Sequence, residues 1–382
     1  MQTLIKSIYP YYRDIRHQLH ACPELCYEEY QTALIVKQEL EKLGLTVQTN
    51  VGKTGVVAIL DSQKPGKTIA LRADMDALLI HEETQLSYSS QNAGKMHACG
   101  HDGHTATLLA VAHVLCVMKS SLTGIIKFIF QPAEEGGAGA KAMIDDGVLE
   151  NPPVDVIFAY HNHPGAPLGT VLVKPGCTLY GDYSFDINII GKGGHAAKPE
   201  TVVNPITVAA ELIHTLQPYI LEMERESTPS IIAIAQMNSG TARNVIADTA
   251  SINGTIRVPS TDKFEKISHE LLRVIQLIAK TWNAQIDIMF TTKYPPTISS
   301  PRETEFVLSE ATKLLGQDRV GIKPQPARAS EDFSFYLQKV PGCYLFIGNG
   351  DSAFCHNAKY DFNDEVMLTA IELLCSLAVN YS

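Results

Sequence analysis

Apolar residues recur at helical spacing through residues 3–44, with Pro23 interrupting, and "TALIVKQELEKLGL" closes on Gly44 as a helix C-cap would, so the pattern predicts two opening helices. "GVVAIL" and "TIALRAD" follow as short apolar runs rich in β-formers, separated by the turn-forming stretch "DSQKPGK", and read as two buried strands. Beyond them come an apolar helix in "TATLLAVAHVLCVMK", a buried strand in "GIIKFIFQP", a helix in "GAKAMIDDGVL" and a strand in "VDVIFAYHNH". Helices alternating with continuous apolar strands imply a mostly parallel central sheet flanked by helices. In such sheets ligands sit beyond the carboxyl ends of the strands. Asp74, Glu134, Glu135 and His161 fall there, and a histidine-rich stretch precedes a helix.

From about residue 182 the period changes. "YSFDINIIGKGG" alternates like a half-exposed antiparallel strand. A helix in "NPITVAAELIHTLQPYIL", strands in "SIIAIAQMNSG" and "TASINGTIRV", a helix over 262–281 and a strand in "AQIDIMFTTKYPP" follow. The order strand, helix, strand, strand, helix, strand is that of a split βαβ unit, an α+β, ferredoxin-like domain inserted into the first. The expected boundaries are a catalytic domain over 1–181 and 296–382, with the smaller domain at 182–295.

The chain's 382 residues exceed what one core usually supports, in keeping with two domains. With 45% hydrophobic and 19% charged residues the balance is that of a globular protein. A formal net charge of −10 and the lack of a Lys/Arg run argue against nucleic acid as partner. No apolar stretch is long enough to span a bilayer and the N-terminus lacks the sequence of a secretory signal, so the expectation is a cytoplasmic protein with no membrane partner. The eight cysteines are scattered without paired spacing, which reads as buried thiols rather than a disulfide framework.

"MHACGHDGHTA", residues 96–106, packs three histidines, a cysteine and an aspartate beside glycines. Cys99 and His101 are one residue apart at a strand-to-helix junction, a spacing that turns two donors from one loop toward one ion. Glu134, Glu135, His161 and His356 add imidazole and carboxylate at other loop and strand ends. Each alone reads as well as a hydrogen-bonded surface group. Together, beside apolar strands and glycines, they favour a metal site. A cysteine nucleophile with its base would leave Glu134, Glu135, His161 and His356 without a role.

"RADMDAL", "MHACGHDGHTA", "FQPAEEGGAGAKAMI", "HNHPGAPLGTV", "GKGGHAAKPE", "ARNVIADTASINGTIR", "SEDFSFYL" and "CHNAKYDFND" resemble, in order and spacing, the amidohydrolase branch of the aminoacylase and carboxypeptidase-like metallopeptidases. That branch includes hippurate hydrolases, N-acetyl-diaminopimelate deacetylases and indole-acetyl-amino-acid hydrolases. The resemblance implies two divalent ions (zinc, manganese, nickel or cobalt) bridged by Cys99. His101 and His161 then complete one site, Glu135 and His356 the other, and Glu134 is the general acid/base. It further implies His195 of the "GGHA" loop as an oxyanion donor that often reaches into a partner subunit, Asn244 as a substrate-binding residue, and a homodimer formed through the inserted domain. Arg257 lies in a similar motif and is a candidate for the substrate carboxylate. Asp76 is a candidate for orienting a ligand, with Asp102, His104, His97 and His163 in supporting roles.

The implied reaction is hydrolysis of a small N-acyl amino acid, hippurate-like or N-acetylated, to a carboxylate and a free amino acid. A dedicated N-acetyl-L,L-diaminopimelate deacetylase is the nearest alternative. A metal- or metabolite-binding protein on the same fold is the non-enzymatic one, and Glu134 beside Glu135 counts against it. Leu79-Ile80 stands where many relatives carry proline, and "GCTLYGDYSF" replaces a more usual small, polar stretch, so the acyl pocket is where the resemblance weakens.

Overall fold

The computed structural model describes residues 1–381 and divides the chain into two compact units. The first comprises Met1–Thr178, Thr297–Pro324 and Asp332–Ser382, the second Leu179–Pro296 and Gln325–Glu331. Gln325–Glu331 returns to the smaller unit, where Tyr180 N–H donates to the carbonyls of Ala327 and Ala329 at 3.0 and 3.1 Å. Polar "QPARASE" carries no apolar period that would have assigned it to either core.

The first unit is built on an eight-stranded sheet in the order Thr46–Val51, Gly55–Asp61, Ile125–Gln131, Thr68–Asp74, Val156–His163, Gly342–Gly348, Val171–Val173 and Val320–Ile322. Its four central strands, Ile125–Gln131 through Gly342–Gly348, run parallel, as the apolar runs predict for strands covered on both faces. All seven residues of Thr68–Asp74 are buried. The flank Thr46–Val51 and Gly55–Asp61 is antiparallel. Thr46–Val51 was not anticipated, because only Val51 is buried and "TVQTNV" offers no apolar run.

The helix expected to follow the histidine cluster begins inside it, at His101, and runs to Val117 almost wholly buried. Its cap is Gly100 at φ +93°, a conformation that glycine adopts without penalty. A Cβ there would lie 2.4 Å from Asn162 Oδ1 and 2.5 Å from Tyr360 Oη, so the turn that swings Cys99 and His101 past each other requires glycine. The helices Gln2–Ala21 and Val366–Asn380 pack beside His101–Val117. No helix among the described residues is long and apolar enough to cross a membrane.

The second unit is an antiparallel sheet in the order Ile231–Ser239, Thr249–Val258, Gly181–Ile190 and Gln285–Tyr294, with helices Pro205–Glu224 and Thr261–Trp282 packed on it. Alternate burial along Thr249–Val258 reflects one covered face and one open face. Ile267, Leu271, Val274, Ile275 and Ile278 form the apolar stripe of the second helix. Asn204 and Ser260 cap the two helices through Ile206 N and Lys263 N at 3.0 and 3.3 Å.

Candidate metal centre

The carboxyl ends of the parallel strands converge, and Asp76 ties them together. Its two carboxylate oxygens accept from Glu134 N at 3.0 Å and Glu135 N at 2.9 Å, which hangs the loop after Ile125–Gln131 on the end of its neighbour strand. Its backbone carbonyl accepts from His101 Nδ1 at 2.9 Å, with Oδ1 at 3.3 Å. With its proton thus held at Nδ1, His101 turns Nε2 inward, and that buried atom has no hydrogen-bond partner. His161 is fixed the same way: Nδ1 donates to Asn162 O at 2.7 Å, leaving Nε2 at 3.3 Å from Cys99 Sγ. Two imidazoles oriented from behind, each presenting Nε2, are the arrangement a divalent cation needs.

Glu135 Oε1 lies 3.0 Å from His356 Nε2. Donor atoms of Cys99, His101 and His161 fall within 4.8 Å of one another, as do those of Cys99, Glu135 and His356, and those of His101, Glu134 and Glu135. Cys99 is common to the first two groups. All five residues expected as ligands, together with Glu134, are therefore brought into one cluster. It includes an orphaned buried nitrogen and thiolate, imidazole and carboxylate donors, the set that suits two divalent ions.

The local field favours positive charge. Burial opposes the His101 imidazolium, yet Asp74 and Asp76 outweigh it and push the group up to about 10, a preference for positive charge that a metal ion would share. Burial raises Glu135 but the His356 hydrogen bond prevails, holding its carboxyl below the usual range, and the same bond raises His356. His161 is lowered by burial and stays neutral, the form in which imidazole binds metals.

The supporting residues sort themselves by saturation. His104 spends both ring nitrogens, on Asp74 Oδ1 at 2.6 Å and Asn162 Oδ1 at 2.8 Å. Asp102 accepts from His20 at 2.9 Å and faces the buried Arg16 at 3.6 Å. His163 lies 3.4 Å from Lys323 Nζ, and burial with that cation pulls it down to about 4. His97 is fully buried with neither ring nitrogen bonded, and burial takes it down to about 3. Sequence reasoning gave no role to Asn162 and Tyr360: Asn162 Nδ2 donates to Tyr360 Oη at 2.6 Å while its Oδ1 holds His104. These contacts span residues 104 to 360, and no spacing signal announces them.

In the second unit, His195 and Asn244 are exposed neighbours. Gly194–His195 pairs with Val245–Ile246, Ala196 N donates to Asn244 O at 3.1 Å, and His195 Nδ1 accepts from Ala197 N at 3.1 Å. Arg257 lies on a central strand of the four-stranded sheet. It stands opposite Asp182 in the sheet register and its guanidinium donates to that carboxylate.

Comparison with known proteins bears on this arrangement. The model of Peptidase family M20/M25/M40 matches residues 70–380. Hippurate hydrolase of Campylobacter jejuni is 36% identical over 370 residues, covering 97% of this chain and 96% of that protein. N-acetyl-L-cysteine deacetylase of Bacillus subtilis is 36% identical over 356 residues, covering 93% and 84% respectively. The crystal structure of Bacillus subtilis YXEP protein, described as a dinuclear metal-binding peptidase of the M20 family, superposes with a TM-score of 0.88 at 31% identity over 98% of both chains. The chain thus belongs to peptidase family M20/M25/M40 and is a hydrolytic enzyme.

Proposed function

We propose that the protein is a metal-dependent amidohydrolase that cleaves small N-acyl amino acids to a carboxylate and a free amino acid. The observation that carries the reading is the position of Cys99 in both donor groups, with Glu134 held beside them by Asp76. Cys99, His101 and His161 would hold one ion, and Cys99, Glu135 and His356 the other. Two divalent ions held there would supply an acidified water and a polarised amide carbonyl. Glu134 is the uncoordinated carboxylate that accepts the proton of the attacking water and delivers it to the departing amine. His195 donates to the oxyanion and Asn244 binds the substrate, both from the smaller unit. That unit is also the surface through which a homodimer forms. The hippurate hydrolase and N-acetyl-L-cysteine deacetylase relatives support an N-acyl amino acid as substrate.

Leu79 and Phe354 are 76% and 71% exposed, and each lies on a loop that carries a site residue, Asp76 in one case and His356 in the other. They are the apolar side chains offered to an acyl group. The test is hydrolysis of acetyl-, benzoyl- and longer-acyl amino acids, with N-acetyl-L,L-diaminopimelate in the same panel, before and after chelation and on return of zinc, manganese, nickel or cobalt. Turnover abolished by the chelator and restored by one of these metals is the expected result. Turnover indifferent to chelation contradicts it.

A further inference from the structure

Cys355 stands next to His356 and takes no part in the proposed chemistry. Its surroundings are specific. His356 N donates to Ala98 O at 2.7 Å, which straps the loop of residues 354–358 alongside the cluster loop and makes residues 355 and 99 neighbours. The Cys355 thiol donates to the backbone carbonyl of Cys99 itself at 3.9 Å, which sets the two cysteines against each other. Cys355 Sγ also lies 3.8 Å from Asn162 Nδ2. Asn162 is itself locked by His104 and Tyr360, so the sulfur is held in a socket that faces Cys99.

The metal-ligand explanation does not fit this sulfur. Cys355 belongs to none of the donor groups found among the described residues, although Cys99 belongs to two. Cys99 is buried, whereas Cys355 is half-buried and open to a small oxidant.

We propose that Cys355 is a modification site, the peroxide-reactive partner that forms a disulfide with Cys99. The Cys355 thiolate attacks one oxygen of hydrogen peroxide, the O–O bond breaks, and the departing hydroxide leaves as water after taking up a proton. The resulting sulfenic acid is attacked by the Cys99 thiolate. The S–S bond forms as the S–O bond breaks, and a second water departs. Two thiols lose two electrons and two protons, and one peroxide becomes two waters. A dithiol reductant reverses the change. On the reading of Cys99 as bridging ligand, on which this functional consequence rests, the disulfide withdraws the shared donor and both metals lose a ligand at once.

The experiment treats the purified protein, metal-loaded and chelator-stripped, with hydrogen peroxide, blocks remaining thiols, and maps disulfides by mass spectrometry while metal release is followed with a chromogenic chelator. The expected result is a linked pair of peptides carrying Cys99 and Cys355, two hydrogens lighter than the reduced pair and separated by dithiothreitol, with metal released as the link forms. In Cys355→Ser the reduced enzyme keeps its activity and the reversible inactivation by peroxide disappears. Stripped protein in which Cys355 reaches only the sulfinic acid, or in which Cys99 pairs with another cysteine, overturns the proposal, and the wild-type map decides this even if the variant misfolds. A link formed with metal fully retained upholds the modification site and overturns the bridging assignment instead, so the two failures are distinguishable.

Discussion

The two units treat the polar residues proposed for function in opposite ways. In the first, Asp74, Asp76, His101 and His104 are buried and joined by His–Asp hydrogen bonds, so the His101 side of the cluster is aimed before any substrate arrives. In the second, His195 and Asn244 are exposed beside a two-stranded excursion, where Ala197 N donates to His195 Nδ1 and Ala196 N to Asn244 O. The difference teaches where each kind of chemistry draws its precision. Ligands for two cations need orientation to fractions of an ångström, which buried second contacts provide. A donor that meets a developing oxyanion is needed only when substrate is present and tolerates a mobile, solvated ground state.

The comparison breaks first at Cys99. Cys99→Ser should lose bound metal and with it nearly all turnover, because one donor serves both groups. Elemental analysis of the variant, against wild type purified in parallel, reads the outcome, and unchanged metal content would remove the bridge. His195→Ala should lower kcat by about 10²–10³, the cost of one oxyanion donor, while metal content stays at the wild-type level. A loss of metal in that variant would mean the two units are not separable in the way described.

Asp76→Asn sharpens the claim that orientation comes from behind. It keeps one acceptor for the Glu134 and Glu135 amides and removes charge near His101, so metal affinity should fall by about 10–100-fold, read by competition with a chelator of known affinity. An unchanged affinity would assign the loop's rigidity to other contacts.

The last effect concerns stability rather than chemistry. Burial opposes the His20 imidazolium, but Asp102 and Glu82 outweigh it and raise the group from 6.5 to about 9. A folded value above the unfolded one means that the stabilisation is complete below about pH 6.5 and is lost as pH rises through 9. Urea unfolding of metal-stripped protein should therefore show wild type losing on the order of 3 kcal/mol more than His20→Gln across that interval. Parallel profiles for the two proteins would show that the buried network does not depend on that proton.

Much of the first unit was legible because its strands are continuous apolar runs and its donors sit at their ends, as with Gln131 before Glu134 and Glu135, and His161 in "YHNH". The second unit was legible by its change of period. The edge strand Thr46–Val51 escaped because its residues are mostly not buried, and Gln325–Glu331 because it joins the smaller unit through backbone hydrogen bonds rather than an apolar stripe. The contacts between Cys99 and Cys355, and among His104, Asn162 and Tyr360, join residues far apart in the chain. Only the folded chain brings them together. The pairing of Arg257 with Asp182 is likewise set by strand register, which a single sequence does not announce.

The central claim is that Glu134 moves the proton while its neighbours hold the metals, and Glu134→Gln separates these roles most directly. Metal content and N-acyl amino acid hydrolysis should be measured on the same preparation. The account predicts wild-type metal stoichiometry with turnover reduced by about 10²–10⁴. Hydrolysis at the wild-type rate, or metal lost together with activity, would contradict it.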